Sequence, residues 1–355
     1  MPDFDERMAR LRDQVQQALD AFIAHHRDDL LGISPELAPA LDAVVAMTGS
    51  GKRLRAAACY WGHIGAGGTD SAAIITAAAS LELLQASALI HDDVMDHSDT
   101  RRGQPAVHRR FAALHAEHGW QGTDDDFGAA AAILIGDLAL VWADAMLCSA
   151  PFDDAALHRA KRVFDRMRTE LMGGQFLDVL EQARGGGSVE RAARVMRFKT
   201  TAYTVERPLH LGAALAGDHP EVEAVYTAFG VPLGEAFQLR DDILGVFGDP
   251  ERTGKPAGDD LREGKRTLLI ALAQERATPA QAAVLEREIG NPELDATGVA
   301  AVREVLSASG ALDAVERRIA EGREQALAAL RPDVIAAEAI EALRALADAA
   351  TVRTA

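Results

Sequence analysis

Two aspartate pairs, each set inside a long apolar run with helical spacing, constrain this chain more than any other feature. The first lies in LIHDDVMD over 89–96 and the second in QLRDDIL over 238–244. Residues four apart share one helix face, so Asp92 and Asp96 point the same way, with Asp93 about a quarter-turn aside. Two such patches facing each other across a cavity would hold several hard cations. Mg²⁺ prefers carboxylate and water oxygens and usually binds substrate phosphate as well. The implied substrate is a phosphorylated molecule held by metal between two helices.

The spacing alone is weak. With 54 acidic residues in 355, random placement yields roughly one match to this spacing when any acid may fill its three positions. Asp124-Asp125-Asp126 and Asp259-Asp260 are competing acidic runs. Gly119, Gly122, Thr123 and Gly128 surround the first of these, which reads as a solvated loop. The two favoured pairs differ in following apolar helical runs and in being flanked by cations and glutamines.

Composition narrows the fold. A chain that is 48% hydrophobic, rich in Ala and Leu and only 5% aromatic favours helix. No segment alternates as a strand would. Expected helices cover 4–28, 36–48, 52–65, 71–95, 105–118, 128–149, 153–183, 188–216, 219–247, 265–275, 279–288, 297–309 and 311–349. Breaks fall at 65–68, 119–127, 185–187 and 248–258, where Gly and Pro gather. No linker marks a boundary, so residues 1–355 are expected to form one all-α domain, a large helical bundle around a central active-site cavity. The net charge of −17 argues against nucleic acid as a partner. Cys59 and Cys148, far apart and without a CxxC, suit a reducing cytoplasm. The charged N-terminus is no signal peptide. Residues 129–147 have transmembrane length, but Asp137 and Asp144 interrupt them, so a helix buried in the core is expected rather than a membrane span.

Cations supply the other half of a phosphate site. Lys52 and Arg55 lie three apart at the opening of a helix, a natural place for an anion. Arg101 and Arg102 follow the first aspartate motif. Lys199 and Thr200 lie mid-chain, and Lys255 and Lys265 follow the second motif. An acidic protein that gathers Lys and Arg beside its aspartate pairs is arranged for phosphate.

These residues carry a resemblance. The chain resembles the trans-isoprenyl diphosphate synthases, or polyprenyl synthetases, over roughly residues 40–330, most like those that make geranylgeranyl diphosphate. The shared motifs are GKRLR at 51–55, LIHDDVMDHSDTRRGQP at 89–105, GGQFLD at 173–178, FKT at 198–200, and FQLRDDILGVFGD with TGKPAGDDLREGKRT over 237–267. The resemblance implies an isoprenoid-synthase fold and a homodimer. It also implies Mg²⁺, three ions per active site, held by Asp92, Asp93 and Asp96 from one wall and by Asp241 and Asp242 from the other. Arg101, Lys199 and Lys255 would hold the allylic diphosphate. Lys52, Arg55, Gln85 and Arg102 would hold isopentenyl diphosphate. Thr200, Gln175, Asp178 and Gln238 are candidate dipoles around the carbocation left when diphosphate departs, with the released diphosphate as proton acceptor. Gln175 and Asp178 also suit an ordinary hydrogen-bonded pair.

In the family, bulky aromatics one turn before the first motif stop growth at fifteen carbons. Here Ser87 and Ala88 are small, and Leu84, with Leu81 below it, would form a deeper floor. The expected product is therefore geranylgeranyl diphosphate, with longer-chain or farnesyl products as the alternative. The second motif departs from DDxxD: its fifth position is Gly245, and the next acid, Asp249, has an open role. A class I terpene cyclase would not need GKRLR and Gln85 as a second anion site, and the same motif pattern disfavours a squalene-type head-to-head synthase. A non-catalytic partner subunit would be expected to have lost acids of the metal site. His91 is read as structural, because Mg²⁺ sites rarely use imidazole.

Overall fold

A computed structural model describes residues 4–248 and 258–351, and apart from one short hairpin the described elements are helical. Contacts divide the chain into two compact units. One comprises Met1–Val163 with Pro208–His219, the other Phe164–Arg207 with Pro220–Ala355.

In the first unit, α1 (Phe4–Ile33) buries Met8, Leu11, Val15, Leu19, Phe22 and Ile23, a stripe of helical period. A 3₁₀ turn at Pro35–Leu37, capped by Ser34, leads into α2 (Ala38–Thr48). Helix α3 (Leu54–Gly65) follows, then α4 (Ala72–Met95). Helix α4 is buried nearly all round, which suits its Ala/Leu/Ile composition and makes it the central element. Strands β1 (Thr100–Arg101) and β2 (Gln104–Pro105) form an antiparallel hairpin. Helices α5 (Val107–His118) and α6 (Asp124–Ser149) complete the packing, with α6 lying along α4. By length and composition α4 and α6 are both long and apolar enough to cross a membrane. Helix α4 is mostly buried in the protein; α6 buries one face and exposes Leu134 and Val141 on the other.

Helix α7 (Asp154–Arg184) is followed by α8 (Val189–Val195), a π-helical stretch at Met196–Glu206, and α9 (Arg207–Ala216). The second unit is built on α10 (Pro220–Phe247). Gly230 and Gly234, four apart, let α10 approach the π stretch. A Cβ at 230 would lie 2.8 Å from the Cα of Glu206, and one at 234 would lie 2.9 Å from the Cα of Thr201. Helices α11 (Asp259–Arg262), α12 (Leu268–Arg276), α13 (Pro279–Glu288), α14 (Ala296–Ala308), α15 (Ala311–Ala329) and α16 (Ala337–Thr351) follow. The apolar faces of α11 to α15, with Leu239, Ile243 and Val246 of α10, make one core cluster.

Four sequence expectations need correction. Asp124 to Asp126 are not loop but the exposed first turn of α6, capped by the Thr123 hydroxyl, where acids complement the positive helix end. The expected helix 188–216 changes to π geometry in its middle. The expected helix 311–349 is interrupted between α15 and α16, where Pro332 cannot continue a helix. The helix expected from 52 begins at Leu54, so Lys52 lies ahead of it.

Candidate active site

The first acid set sits at the C-terminal end of α4. Asp96 caps the helix, and His97 takes a left-handed φ of 55°. Ser98 N–H donates to the Asp93 carbonyl at 3.0 Å and His97 N–H to the Val94 carbonyl at 3.4 Å, a Schellman turn. This end of a helix carries partial negative charge. Three carboxylates placed there work against the dipole, an arrangement suited to holding a cation and poor for stability. Asp93 is fully buried, Asp96 nearly so and Asp92 partly.

The hairpin turns on Arg102 and Gly103, both with positive φ (55° and 73°), the signature of a type I′ turn. It sends its two arginines different ways. Arg101 Nε donates to Asp93 Oδ1 at 2.9 Å, a second guanidinium nitrogen reaches the same oxygen, and Asp92 lies 3.9 Å away. Arg102 instead donates to the Ser50 carbonyl (2.9 Å), the Ser50 hydroxyl (3.1 Å) and the Met47 carbonyl (3.2 Å). It thereby fastens the hairpin to the segment that opens α3.

Within GKRLR the residues divide. Arg53, in the left-handed region at φ 54°, is buried and donates to Glu82 at 2.9 Å, to the Thr48 carbonyl and to Gln16. Sequence reasoning missed this anchor, since a Lys/Arg run does not show which member turns inward. Lys52 is exposed and Arg55 partly so. The Arg102 guanidinium titrates below its ordinary value, first through burial, then through the charges of Arg53, Arg101 and Arg55, with Glu82 opposing. Arg102, Arg53, Arg101 and Arg55 thus lie within reach of one another's charge, with Arg53 answered by Glu82 and Arg101 by Asp93. Gln85 is partly buried on α4, two turns before Asp92. His91 turns to α6, where its Nε2 lies 3.0 Å from the Ile133 carbonyl, and a Cβ at Gly136 would collide with its ring. Ser87 and Leu84 are buried, whereas Ala88 is partly exposed.

The second unit carries the other residues. Gly174 brings α7 against the π stretch, for a Cβ there would collide with the Lys199 backbone nitrogen. Lys199 Nζ then donates to Asp178 Oδ2 at 2.6 Å. Asp178 is therefore a partner of Lys199. On α10, Gln238 Nε2 donates to Asp242 Oδ1 at 2.7 Å. Burial pushes the Asp242 carboxyl up to about 7; the Gln238 hydrogen bond opposes this, and the charges of Asp260 and Asp241 add to it. Asp241 is partly exposed. Lys265 lies 2.7 Å from Glu263 and 3.4 Å from Asp260. Asp260 was unassigned in sequence because helical spacing relates residues of one helix only. Lys255 and Asp249 lie outside the described residues.

The donors suit Mg²⁺: hard carboxylate oxygens, crowded so that their mutual repulsion is relieved by a divalent cation. Among the described residues no group of three acids or imidazoles could hold a metal unaided. Mg²⁺ sites commonly take one or two carboxylates and complete their shell with water and substrate phosphate.

A model of the polyprenyl synthetase family matches residues 36–306. Geranylfarnesyl diphosphate synthase of Aeropyrum pernix is 33% identical over 331 residues, 92% of this chain and 97% of the relative. Octaprenyl diphosphate synthase of Escherichia coli is 31% identical over 85% of this chain and 86% of its own. Among solved structures, geranylgeranyl pyrophosphate synthase of Corynebacterium glutamicum, complexed with isoprenyl diphosphate and magnesium, aligns with a TM-score of 0.94. It is 42% identical, and the match covers 98% of this chain and 99% of that one.

Proposed function

The chain belongs to the polyprenyl synthetase family of prenyltransferases, and we propose that it condenses isopentenyl diphosphate head-to-tail with an allylic diphosphate to give mainly geranylgeranyl diphosphate. The carrying observation lies within one unit: three carboxylates at the negative end of α4 beside a cluster of four guanidiniums. A divalent metal and a diphosphate are the ligands that satisfy both. The likeness to a geranylgeranyl pyrophosphate synthase with bound magnesium supports the choice of metal and product.

Asp92, Asp96 and Asp241 are assigned as the principal Mg²⁺ ligands, with three ions per site. Asp93 orients Arg101, and Asp242 is held by Gln238. Mg²⁺, when bound, neutralises charge that develops on the departing diphosphate. Lys199, aimed by Asp178, and Arg101, aimed by Asp93, donate to that diphosphate, as does Lys255. Departure leaves a carbocation at C1 of the allylic chain. The Thr200 hydroxyl and the Gln238 carbonyl offer it oxygen dipoles. Lys52, Arg55, Gln85 and Arg102 hold isopentenyl diphosphate by its non-reacting end, so its alkene attacks C1. The proton then lost passes to the released diphosphate. Water would quench the cation, so the reading requires that the loaded site exclude it.

The reading includes a homodimer, supported by the apolar face of α6. Leu134 and Val141, seven apart, are 68% and 63% exposed there. The test is incubation with isopentenyl diphosphate, geranyl or farnesyl diphosphate and Mg²⁺, with chromatography of the dephosphorylated products. A twenty-carbon product that needs both substrates and metal is expected. A cyclised hydrocarbon formed from the allylic substrate alone would overturn the reading in favour of a terpene cyclase.

A further inference from the structure

The π-helical stretch Met196–Glu206 contains an ion pair that an α-helix could not make. Arg197 and Glu206 are nine residues apart, and a guanidinium nitrogen of Arg197 lies 2.6 Å from Glu206 Oε2. At about 3.6 residues per turn, nine residues make about two and a half turns, so the two side chains would leave opposite faces of an α-helix. A π-helix, bonded between residues five apart, has about 4.4 residues per turn. Nine residues then make about two turns, and both side chains fall on one face. We propose that the Arg197–Glu206 pair is a latch that selects the π form, and that these two are positioning residues for Lys199, which the stretch carries. This rests on the proposed role of Lys199 at the departing diphosphate.

The latch is anchored to α7. Glu206 and Arg207 are both buried. Glu206 Oε1 accepts from Arg207 at 3.2 Å, and Arg207 donates two further hydrogen bonds to Glu170 of α7, at 2.7 and 2.9 Å. Arg166 donates to the same carboxylate at 2.9 Å. Helix α7 thus holds the stretch at two places, Arg207 by Glu170 and Lys199 by Asp178, and each pair of positions is eight residues apart. Exchanging about 82° per residue for about 100° would turn Lys199 by about 145° relative to Arg207 and undo that match. On the other side, burial pushes the Glu235 carboxyl of α10 up and the charges of Arg197 and Arg318 oppose this, so Arg197 lies within reach of α10 as well. Gly174, Gly230 and Gly234 let the neighbouring helices approach, but a missing side chain does not choose between helix types. An ion pair that only one geometry can close does choose. Fixing register is the best-attested use of a buried ion pair, whose net gain over apolar packing is small.

The test is a double-mutant cycle on kcat, with thermal melting as the check on folding. Arg197→Gln is the first variant, because Glu206 keeps its hydrogen bond to Arg207 and is not left buried without a partner. It is expected to lower kcat by about 10- to 100-fold, the scale of a slightly misplaced catalytic group, with KM for isopentenyl diphosphate unchanged. Glu206→Gln keeps an oxygen for Arg207, loses the charge, and should reproduce the pattern below its melting temperature. In the Lys199→Ala background the same substitutions should cost less than about threefold more, because the group they aim is gone. A purely structural pair would cost as much there as in the parent. Parental kcat in Arg197→Gln, a change confined to KM or melting temperature, or equal losses in both backgrounds overturns the latch alone. Parental kcat in Lys199→Ala overturns the role of Lys199, and the latch with it.

Discussion

Lys199 and Asp178 are joined by a 2.6 Å ion pair that links the π-helical stretch to α7. The pair forms because Gly174 lets the two backbones meet. A lysine carries a flexible four-carbon stem, and Asp178 fixes where its ammonium points. Lys199→Ala is expected to lower kcat by about 10² to 10³, the scale of losing one preorganised donor to developing negative charge. Asp178→Asn should cost less, since the charge remains but its aim is lost. Steady-state kinetics of both variants, with circular dichroism to confirm helix content, provide the check. A change confined to KM in both would remove Lys199 from the leaving-group side.

Asp92→Ala or Asp241→Ala should reduce turnover by orders of magnitude, because each removes metal-borne stabilisation worth several kcal/mol. The fold should survive. Asp92 opposes the negative end of α4, so its removal should leave the metal-free melting temperature unchanged or raise it, by about 0.3–1 kcal/mol of stability. Near-parental turnover of either variant at saturating Mg²⁺ would show that the metal lies elsewhere.

Neighbouring members of GKRLR should behave differently. Lys52→Ala and Arg55→Ala should raise KM for isopentenyl diphosphate while largely sparing kcat, because the proposed function gives those charges its non-reacting end. Arg53→Ala should instead destabilise the protein by about 3–5 kcal/mol, since it leaves Glu82 buried without its 2.9 Å partner. Denaturant titration separates the two effects.

The Asp242 carboxyl sets a pH dependence in the metal-free enzyme. Its folded value is raised to about 7 from an ordinary 3.8. A raised acid means the folded state keeps a proton that the unfolded state has lost. Stability therefore falls as pH rises between about 4 and 7, and levels off above. In EDTA, the melting temperature of the parent should drop across this range relative to Asp242→Asn, which cannot ionise there. A parallel pair of curves would remove Asp242 as the cause.

Much of this was legible in the sequence, and the misses have physical reasons. The Asp92 and Asp241 helices were readable because apolar period and acid spacing lie within single helices. The hairpin escaped because two-residue strands cannot show alternation; its trace was Arg102-Gly103, a pair whose glycine suits positive φ. The π stretch around Lys199 escaped because its apolar spacing passes for α-helix. Asp124 to Asp126 were misread because neighbouring glycines outweighed the Thr123 cap. Asp260 was out of reach because its place near Asp242 is set by packing between segments. Arg53 was inseparable from Lys52 and Arg55 until burial distinguished them.

Product length is the property most directly open to design. Under the proposed function, a chain anchored by its diphosphate near Asp92 and running back along α4 would meet residue 88 first, then 84. Ser87 is 1% exposed, and its hydroxyl has no hydrogen-bond partner among the described residues, so its side chain is enclosed by protein. Ala88 is partly exposed, which makes it the small residue with room in front of it. Ala88→Phe should therefore shorten the main product from twenty to fifteen carbons with little loss of stability. Ser87→Tyr forces a ring into a packed site and should cost about 1–3 kcal/mol, whatever it does to length. Leu84 is fully buried and stands one turn further back. Leu84→Ala should deepen the channel and shift part of the product to twenty-five carbons, since each buried methylene of the longer chain gains about 0.8 kcal/mol. It should also lower stability by about 2–5 kcal/mol, so the assay belongs well below the variant's melting temperature. Chromatography of dephosphorylated products decides the matter: an unchanged distribution in both Ala88→Phe and Leu84→Ala would show that this face of α4 does not set chain length.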